Sequence, residues 1–453
     1  MSRVMLCAME SGSGKTVITC GLLQALKTRG LAVRAFKCGP DYIDPMFHKR
    51  VLCVESHNLD LFLQGETGVI DTLRMHQGTV SVLEGAMGFY DGIGGTDAAS
   101  AWQIASVTQT PVVLIVRPSG ASLTLAAQIK GMMAFRADSK IAGILLNACA
   151  PSLAAYLTPI LQRETGLRVF GYLPMMPQAA LESRHLGLLT ADEVNGFTDK
   201  FMQIAAQMEQ TIDIDALLRL AQTAPEIAKK PLLALPKIRC RIAVARDAAF
   251  GFYYENTWET LRQAGAELCF FSPLHDTALP PHTNGLYLGG GYPEIYAKTL
   301  SKNNILRAAL KQAIAQGLPT VAECGGFLYL QQTLQDENGV SYPMVGALMG
   351  DGIKTQRLQR FGYVTLTAKT DSLLFRAGEC APAHEFHYWD CTQNGDSFVA
   401  QKPTQDKIAH CGFAAKRLYA AFPHLHFGGA LPFAQRFVAS AIQSMNEEDE
   451  QDG

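Results

Sequence analysis

Over residues 1–225, short runs with few polar positions alternate with longer periodic stretches. The runs are RVMLCAM, LAVRAF, TVSVLEG, PVVLIVRP, KIAGILLN and LRVFGYLP. A strand buried on both faces reads as such a run, so the alternation predicts a parallel sheet flanked by helices. The first helical stretch, KTVITCGLLQALKTRG, closes on Gly30, a residue suited to a helix end. A second α/β series follows: IRCRIAVAR, a helix around ENTWETLRQAG, AELCFFSP, GLYLGGG, LRAALKQAIAQG and LPTVAECGG. Between the two series, TAPEIAKKPLLALPK carries three prolines and no sheet pattern, as a linker does. The expected organisation is a domain over 1–225, a linker over 226–237, a second domain over 238–445, and a disordered acidic tail over 446–453.

Composition narrows the class without naming a function. With 453 residues, 48% hydrophobic and 18% charged, the chain can bury real cores, which excludes a disordered or fibrous protein. A net charge of −2 lacks the basic footprint of a nucleic-acid binder. No apolar run reaches the ~18 residues that cross a bilayer, and the N-terminus lacks a signal-peptide pattern. A cytoplasmic address follows as an expectation, with neither nucleic acid nor membrane as a partner. Eleven cysteines are scattered without a CxxC pair, which favours reduced thiols over a disulfide frame or a zinc site.

Candidate chemistry sits at strand ends. The segment Met9-Glu10-Ser11-Gly12-Ser13-Gly14-Lys15-Thr16 matches the phosphate loop GxxxxGK[ST] except at its first position, where Met9 replaces glycine. Gly12 and Gly14 let backbone N–H groups approach phosphate oxygens, Lys15 reaches the β/γ-phosphates, and the Thr16 hydroxyl suits Mg²⁺. Acids follow two later strands: Asp41 and Asp44, in a loop that also holds Lys37, and Glu84, placed like a Walker B acid. Together they point to Mg·ATP. Asn147, closing KIAGILLN, is either a base reader or a strand-end cap.

In the second series, LPTVAE runs into Cys324-Gly325-Gly326 and a helical FLYLQQTL. A cysteine at a strand-to-helix elbow with two glycines beside it is a candidate nucleophile, with its thiol pKa expected to be lowered by the helix end. His424 or His426, in AAFPHLHFGG, would be its base; in an extended segment they face opposite ways, and alternation does not choose between them. Gly290, Gly291 and Tyr292, in LGGGYPE, would supply an oxyanion hole and hold the substrate's carbonyl. The segment His384-Glu385-Phe386-His387 fails the HExxH spacing by one position, so a metal there is not expected.

SGSGKT, KCGPDYIDP, LEGAMGFYDG, GGGYPE, AECGGFLYL, RLQRFGYV, HEFHY and HLHF stand in order as in the cobyrinic acid a,c-diamide synthase family, and the resemblance covers nearly the whole chain. It implies an α/β protein of two doubly wound domains: a dethiobiotin-synthetase-like P-loop domain, then a flavodoxin-like class I glutamine amidotransferase domain. It further implies ATP- and glutamine-dependent amidation of the a and c carboxylates of cobyrinic acid through acyl phosphates, in cobalamin biosynthesis. By the same resemblance, Lys15, Thr16, Asp41, Asp44 and Glu84 fall on the nucleotide-metal and phosphoryl-transfer motifs, Cys324 on the nucleophile and His424 on its histidine. Phe422-Pro423 replace a tyrosine-containing pair before that histidine, and no acid follows two positions later, so a Cys-His pair is implied rather than a triad. Tyr42 and the region His384–Trp389 are candidates for corrinoid contact. The oligomeric state is open, with a homodimer as one option.

The rival readings are a sister amidotransferase acting on nickel-sirohydrochlorin or on other corrinoid carboxylates (cobyric acid synthase), and a partitioning-type ATPase switch. HEFHY and HLHF favour a,c-diamide synthesis over cobyric acid synthesis but do not exclude the nickel substrate. The ATPase group carries a signature lysine where this chain has Glu10, and it leaves the Cys324 elbow without a purpose.

Overall fold

A computed structural model describes residues 1–176, 191–231 and 235–452, with 191–195 and 448–452 as backbone only. The chain divides into two compact units, Met1–Leu232 and Leu233–Gly453. The division falls within the expected linker, of which residues 232–234 lie outside the described residues. Among the described residues, no helix is long and apolar enough to cross a membrane.

The first unit is built on seven parallel strands: β1 (Ser2–Ala8), β2 (Val33–Cys38), β3 (Ser56–Leu59), β4 (Val80–Glu84), β5 (Val112–Val116), β6 (Ile141–Asn147) and β7 (Arg168–Leu173). Their order in the sheet is β3-β2-β4-β1-β5-β6-β7. Along β1, Leu6 and Ala8 enter one core while Met5 and Cys7 enter the other, so both faces need apolar side chains. Arg3, within β1, is fully buried. Its guanidinium donates to Thr110 Oγ1 at 3.1 Å and to the carbonyls of Thr108 and Pro225 at 2.7 Å each, which satisfies the charge and pins the outgoing segment.

The central sheet of the second unit runs Ala266–Phe271, Cys240–Ala245, Gly285–Leu288, Thr320–Glu323, Leu418–Ala421, Phe413–Ala415, and only the last pair is antiparallel. The apolar runs do not announce what lies between Gln332 and Leu425. There, Arg360–Ala368, Cys380–His387, Phe398–Gln401, Ile408–Cys411 and His424–Leu425 form an antiparallel five-stranded sheet. These strands alternate burial, as one-face-covered strands do, and so leave no continuous apolar run.

The expected disordered tail is a correction. A helix runs from Phe433 to Asp452, anchored by buried Phe433, Phe437, Val438 and Ala441. It continues into the acidic stretch, where Glu447 pairs with Arg417 and accepts from Gln443 Nε2 at 2.9 Å.

Candidate functional site

The carboxyl ends of β1, β2 and β4 form the first half-site, where ligands of open parallel sheets gather. The loop after β1 turns through Gly12 (φ 78°) and Gly14 (φ 89°) into helix α1 (Lys15–Thr28). A Cβ on Gly14 would stand 2.0 Å from Asn147 Nδ2, which explains the glycine. That amide donates to the Ser13 carbonyl at 2.8 Å, which ties the phosphate loop to the end of β6. Lys15 Nζ lies across the loop, donating to the Glu10 carbonyl at 3.1 Å and the Met87 carbonyl at 2.5 Å.

Register brings the charged groups together. Lys37 of β2 sits opposite Glu84 of β4, and Lys37 Nζ donates to Glu84 Oε1 at 3.0 Å and to Asp44 Oδ2. Thr16 Oγ1 donates to the same Glu84 oxygen at 2.9 Å, with Asp44 at 3.5 Å. Asp41 lies at the rim. Its Oδ1 accepts from Ile43 N at 2.7 Å and Asp44 N at 3.3 Å, starting the helix Ile43–Arg50, and its Oδ2 is 3.9 Å from Lys37. Tyr42 occupies that helix's first boundary. Burial raises the Glu84 pKa, but Lys37 and His48 more than offset this and hold it below the usual carboxylate range. Asp44 is pushed well above that range by burial, opposed by Lys37 and reinforced by Glu84.

His48 carries no role in the sequence reading. Its Nδ1 meets Ser56 Oγ at 3.0 Å, and its Nε2 lies 3.5 Å from Glu84 Oε2, beyond a hydrogen bond. The signal was its place on the first helix after the Asp41 loop, one turn beyond Asp44. Hard oxygens from half-buried Thr16 and from buried Asp44 and Glu84, with Glu84 Oε2 lacking a hydrogen bond, match what Mg²⁺ requires.

The second half-site lies at the carboxyl end of Thr320–Glu323. Cys324 adopts φ 48° and ψ −103°, a conformation that side-chain-bearing residues avoid. It is held there by Cys324 N donating to the Ala421 carbonyl and Leu328 N to its own carbonyl, each at 2.9 Å. Gly326 N donates to the Gly289 carbonyl at 2.9 Å, tying the elbow to the glycine loop. His424, on the short strand His424–Leu425 opposite His384, packs directly on that loop. A Cβ on Gly290 would stand 2.5 Å from His424 Cε1 and 3.3 Å from its Nε2. His426 faces elsewhere, with its ring 4.9 Å from Tyr254 and against Gly428. The two histidines do face opposite ways, and His424 is the one beside the elbow. Phe422 stacks on His387 with ring centroids 3.9 Å apart.

Two expectations change here. Tyr292 N donates to the Ala249 carbonyl at 3.0 Å, so that N–H is committed to holding the loop and is not an oxyanion donor. Gly290 and Gly291 remain next to the elbow, since a Cβ on Gly325 would lie 3.0 Å from Gly291 N. The thiol pKa is raised rather than lowered: burial dominates, Glu294, Glu323 and Glu385 add to it, and the following helix is only five residues long. Burial likewise drops His424 to about 3. The resting pair is therefore thiol and neutral imidazole. Of the region His384–Trp389, His384 and His387 stand near this site, both held neutral by burial at about 4.

Two family models match the chain. One is a CobQ/CobB/MinD/ParA nucleotide binding domain over residues 4–188, and the other a CobB/CobQ-like glutamine amidotransferase domain over 241–431. Relatives named cobyrinate a,c-diamide synthase align along almost the entire chain. The one from Caldanaerobacter subterraneus subsp. tengcongensis is 38% identical over 97% of this chain and 98% of its own. That from Clostridium acetobutylicum is 36% identical over 97% and 100%, and that from Thermoplasma volcanium 36% over 97% and 97%.

Proposed function

The chain belongs to the cobyrinate a,c-diamide synthase family, and from that premise we propose how its two units divide the work of a glutamine-dependent amidation in cobalamin biosynthesis. A carboxylate is a poor acyl donor to ammonia, so it must first be activated. In the nucleotide-binding unit, a carboxylate oxygen of cobyrinate attacks the γ-phosphoryl of ATP, giving an acyl phosphate and ADP. The phosphate loop seats the triphosphate, and Lys15 moves from its carbonyl partners to the phosphate oxygens. Thr16, Asp44 and Glu84 would hold Mg²⁺, which supplies charge neutralisation at the transferring phosphoryl. Lys37 keeps the two acids close and in fixed orientation.

In the second unit, Cys324 Sγ attacks the side-chain carbonyl of glutamine while its proton passes to His424. His424 returns that proton to the departing nitrogen, ammonia leaves, and water resolves the thioester to glutamate. Gly290 and Gly291 line the position of the developing oxyanion. Ammonia then displaces phosphate from the activated carboxyl.

One observation carries this reading over a nucleotide switch: Cys324 is held at φ 48° with His424 packed on the adjacent glycine loop. A switch has no use for that arrangement. The test is incubation with ATP, Mg²⁺, amide-¹⁵N-glutamine and either cobyrinic acid or nickel-sirohydrochlorin. Mass spectrometry is expected to show two labelled amides on the cobyrinic acid. Labelled nickel-sirohydrochlorin with untouched cobyrinic acid would replace the substrate, and ATP breakdown without either product would reject the reading.

A further inference from the structure

No acid follows His424 closely in sequence; the next residues are Leu425, His426 and Phe427. The fold brings one from another strand. Glu323 ends the strand Thr320–Glu323, immediately before Cys324, and is 2% exposed. Its Oε1 accepts from Leu425 N at 2.9 Å, and its Oε2 accepts from the Tyr287 hydroxyl at 2.8 Å. The same Oε2 lies 4.0 Å from His424 Nδ1.

We propose that Glu323 is the positioning residue of the glutaminase site, orienting His424 from its Nδ1 side and becoming the counter-charge of the imidazolium. The inference rests on the Cys324–His424 reading above and adds the third member that the sequence order omits. One carboxylate serves two ends of the same task. Oε1 fixes the backbone next to His424, and so the position from which the ring projects. Oε2 faces Nδ1, which turns Nε2 toward the glycine loop and the elbow. As the C–S bond forms, the Cys324 proton goes to Nε2, and it later goes to the leaving nitrogen; Glu323 takes none of it. A separation of 4.0 Å exceeds a hydrogen bond, and such contacts tighten when substrate binds.

Electrostatics support the geometry. Burial, only partly opposed by the hydrogen bonds from Leu425 N and Tyr287, leaves Glu323 at about 7, and burial together with His384 and His387 drops His424 to about 3, so each charge is costly by itself. Formed together they offset one another. The titratable groups facing Glu323 are Tyr287, Tyr253 and Tyr419, whose hydroxyls burial keeps protonated. Those facing His424 are His384 and His387, neutral near pH 7, while Glu294 and Glu385 act on the thiol. Among these, Glu323 is the one placed to meet Nδ1 with negative charge.

The test uses the full-length protein with Glu323→Gln, which keeps an acceptor for Leu425 N, and Glu323→Asp. With Glu323→Gln, kcat for glutamine should fall about 100-fold, KM for glutamine should change less than about twofold, and ammonia-dependent amidation should be retained. In the parent protein, glutaminase kcat should rise with pH through about 7 as Glu323 becomes anionic. That limb should vanish in Glu323→Gln and return in part in Glu323→Asp. A glutaminase within about threefold of the parent, with the pH limb intact, overturns the proposal. So does an equal loss with ammonia, which marks a structural role. If Glu323→Gln does not fold, Glu323→Asp decides by the same readouts. Cys324→Ala separates the two levels: continued glutamine use by that variant rejects the parent reading, whereas its loss beside a normal Glu323→Gln rejects only this one.

Discussion

At the phosphate-loop site, Lys37 is buried between Asp44 and Glu84, and the charges of lysine and glutamate compensate one another before any ligand arrives. At the thiol site, burial acts with little compensation: the thiol is pushed up and His424 down, so both are neutral at rest, while Glu323 is raised to about 7. The difference follows from what each site must receive. A triphosphate is already highly charged, and a preset ionic framework positions it without reorganising. Glutamine's side chain is neutral, and charge appears only as its carbonyl is attacked. A dry site whose thiol and imidazole become an ion pair only during that step favours the transition state over the ground state.

This contrast is broken most sharply by Cys324→Ala. Glutamine-dependent amidation should fall at least about 10⁴-fold while synthesis from ammonia stays within about twofold, measured as product formed from each nitrogen source. Glu84→Gln should do the opposite kind of damage. With the anionic partner of Lys37 and Thr16 removed, amidation from glutamine and from ammonia should both fall, by about 10³-fold. Undiminished ADP release in the presence of cobyrinic acid would count against the assignment of Glu84.

Smaller substitutions sharpen the comparison. Gly290→Ala places a methyl 2.5 Å from His424 Cε1. The imidazole must shift, and glutamine kcat should drop about 100-fold with ammonia use intact. If the ring is not held where Gly290 meets it, kcat will be unaffected. Asn147→Ala removes the brace on Ser13, one hydrogen bond worth about 1 kcal/mol. The KM for ATP should rise about fivefold, and glutaminase activity measured without ATP should not change.

Local signals were legible in the order of residues. Each needs only chain neighbours: Gly12 and Gly14 ahead of a helix, Cys324 between a strand and two glycines, and apolar runs for strands covered on both sides. The antiparallel strands over 360–425 escaped because one-face burial gives alternation rather than runs. The acidic C-terminus was misread as disordered because its helical support, Arg417, lies 30 residues away.

What sequence alone determined was therefore the pair of motifs and the chemistry each implies. Alternation also put His424 and His426 on opposite faces, but only tertiary packing selected the face that meets Gly290. The same is true of Lys37 against Glu84, of the Tyr292 N–H spent on Ala249, and of Glu323 beside His424. These are pairings between distant segments, fixed by strand register and burial, and no spacing along one chain encodes which groups will share a desolvated space.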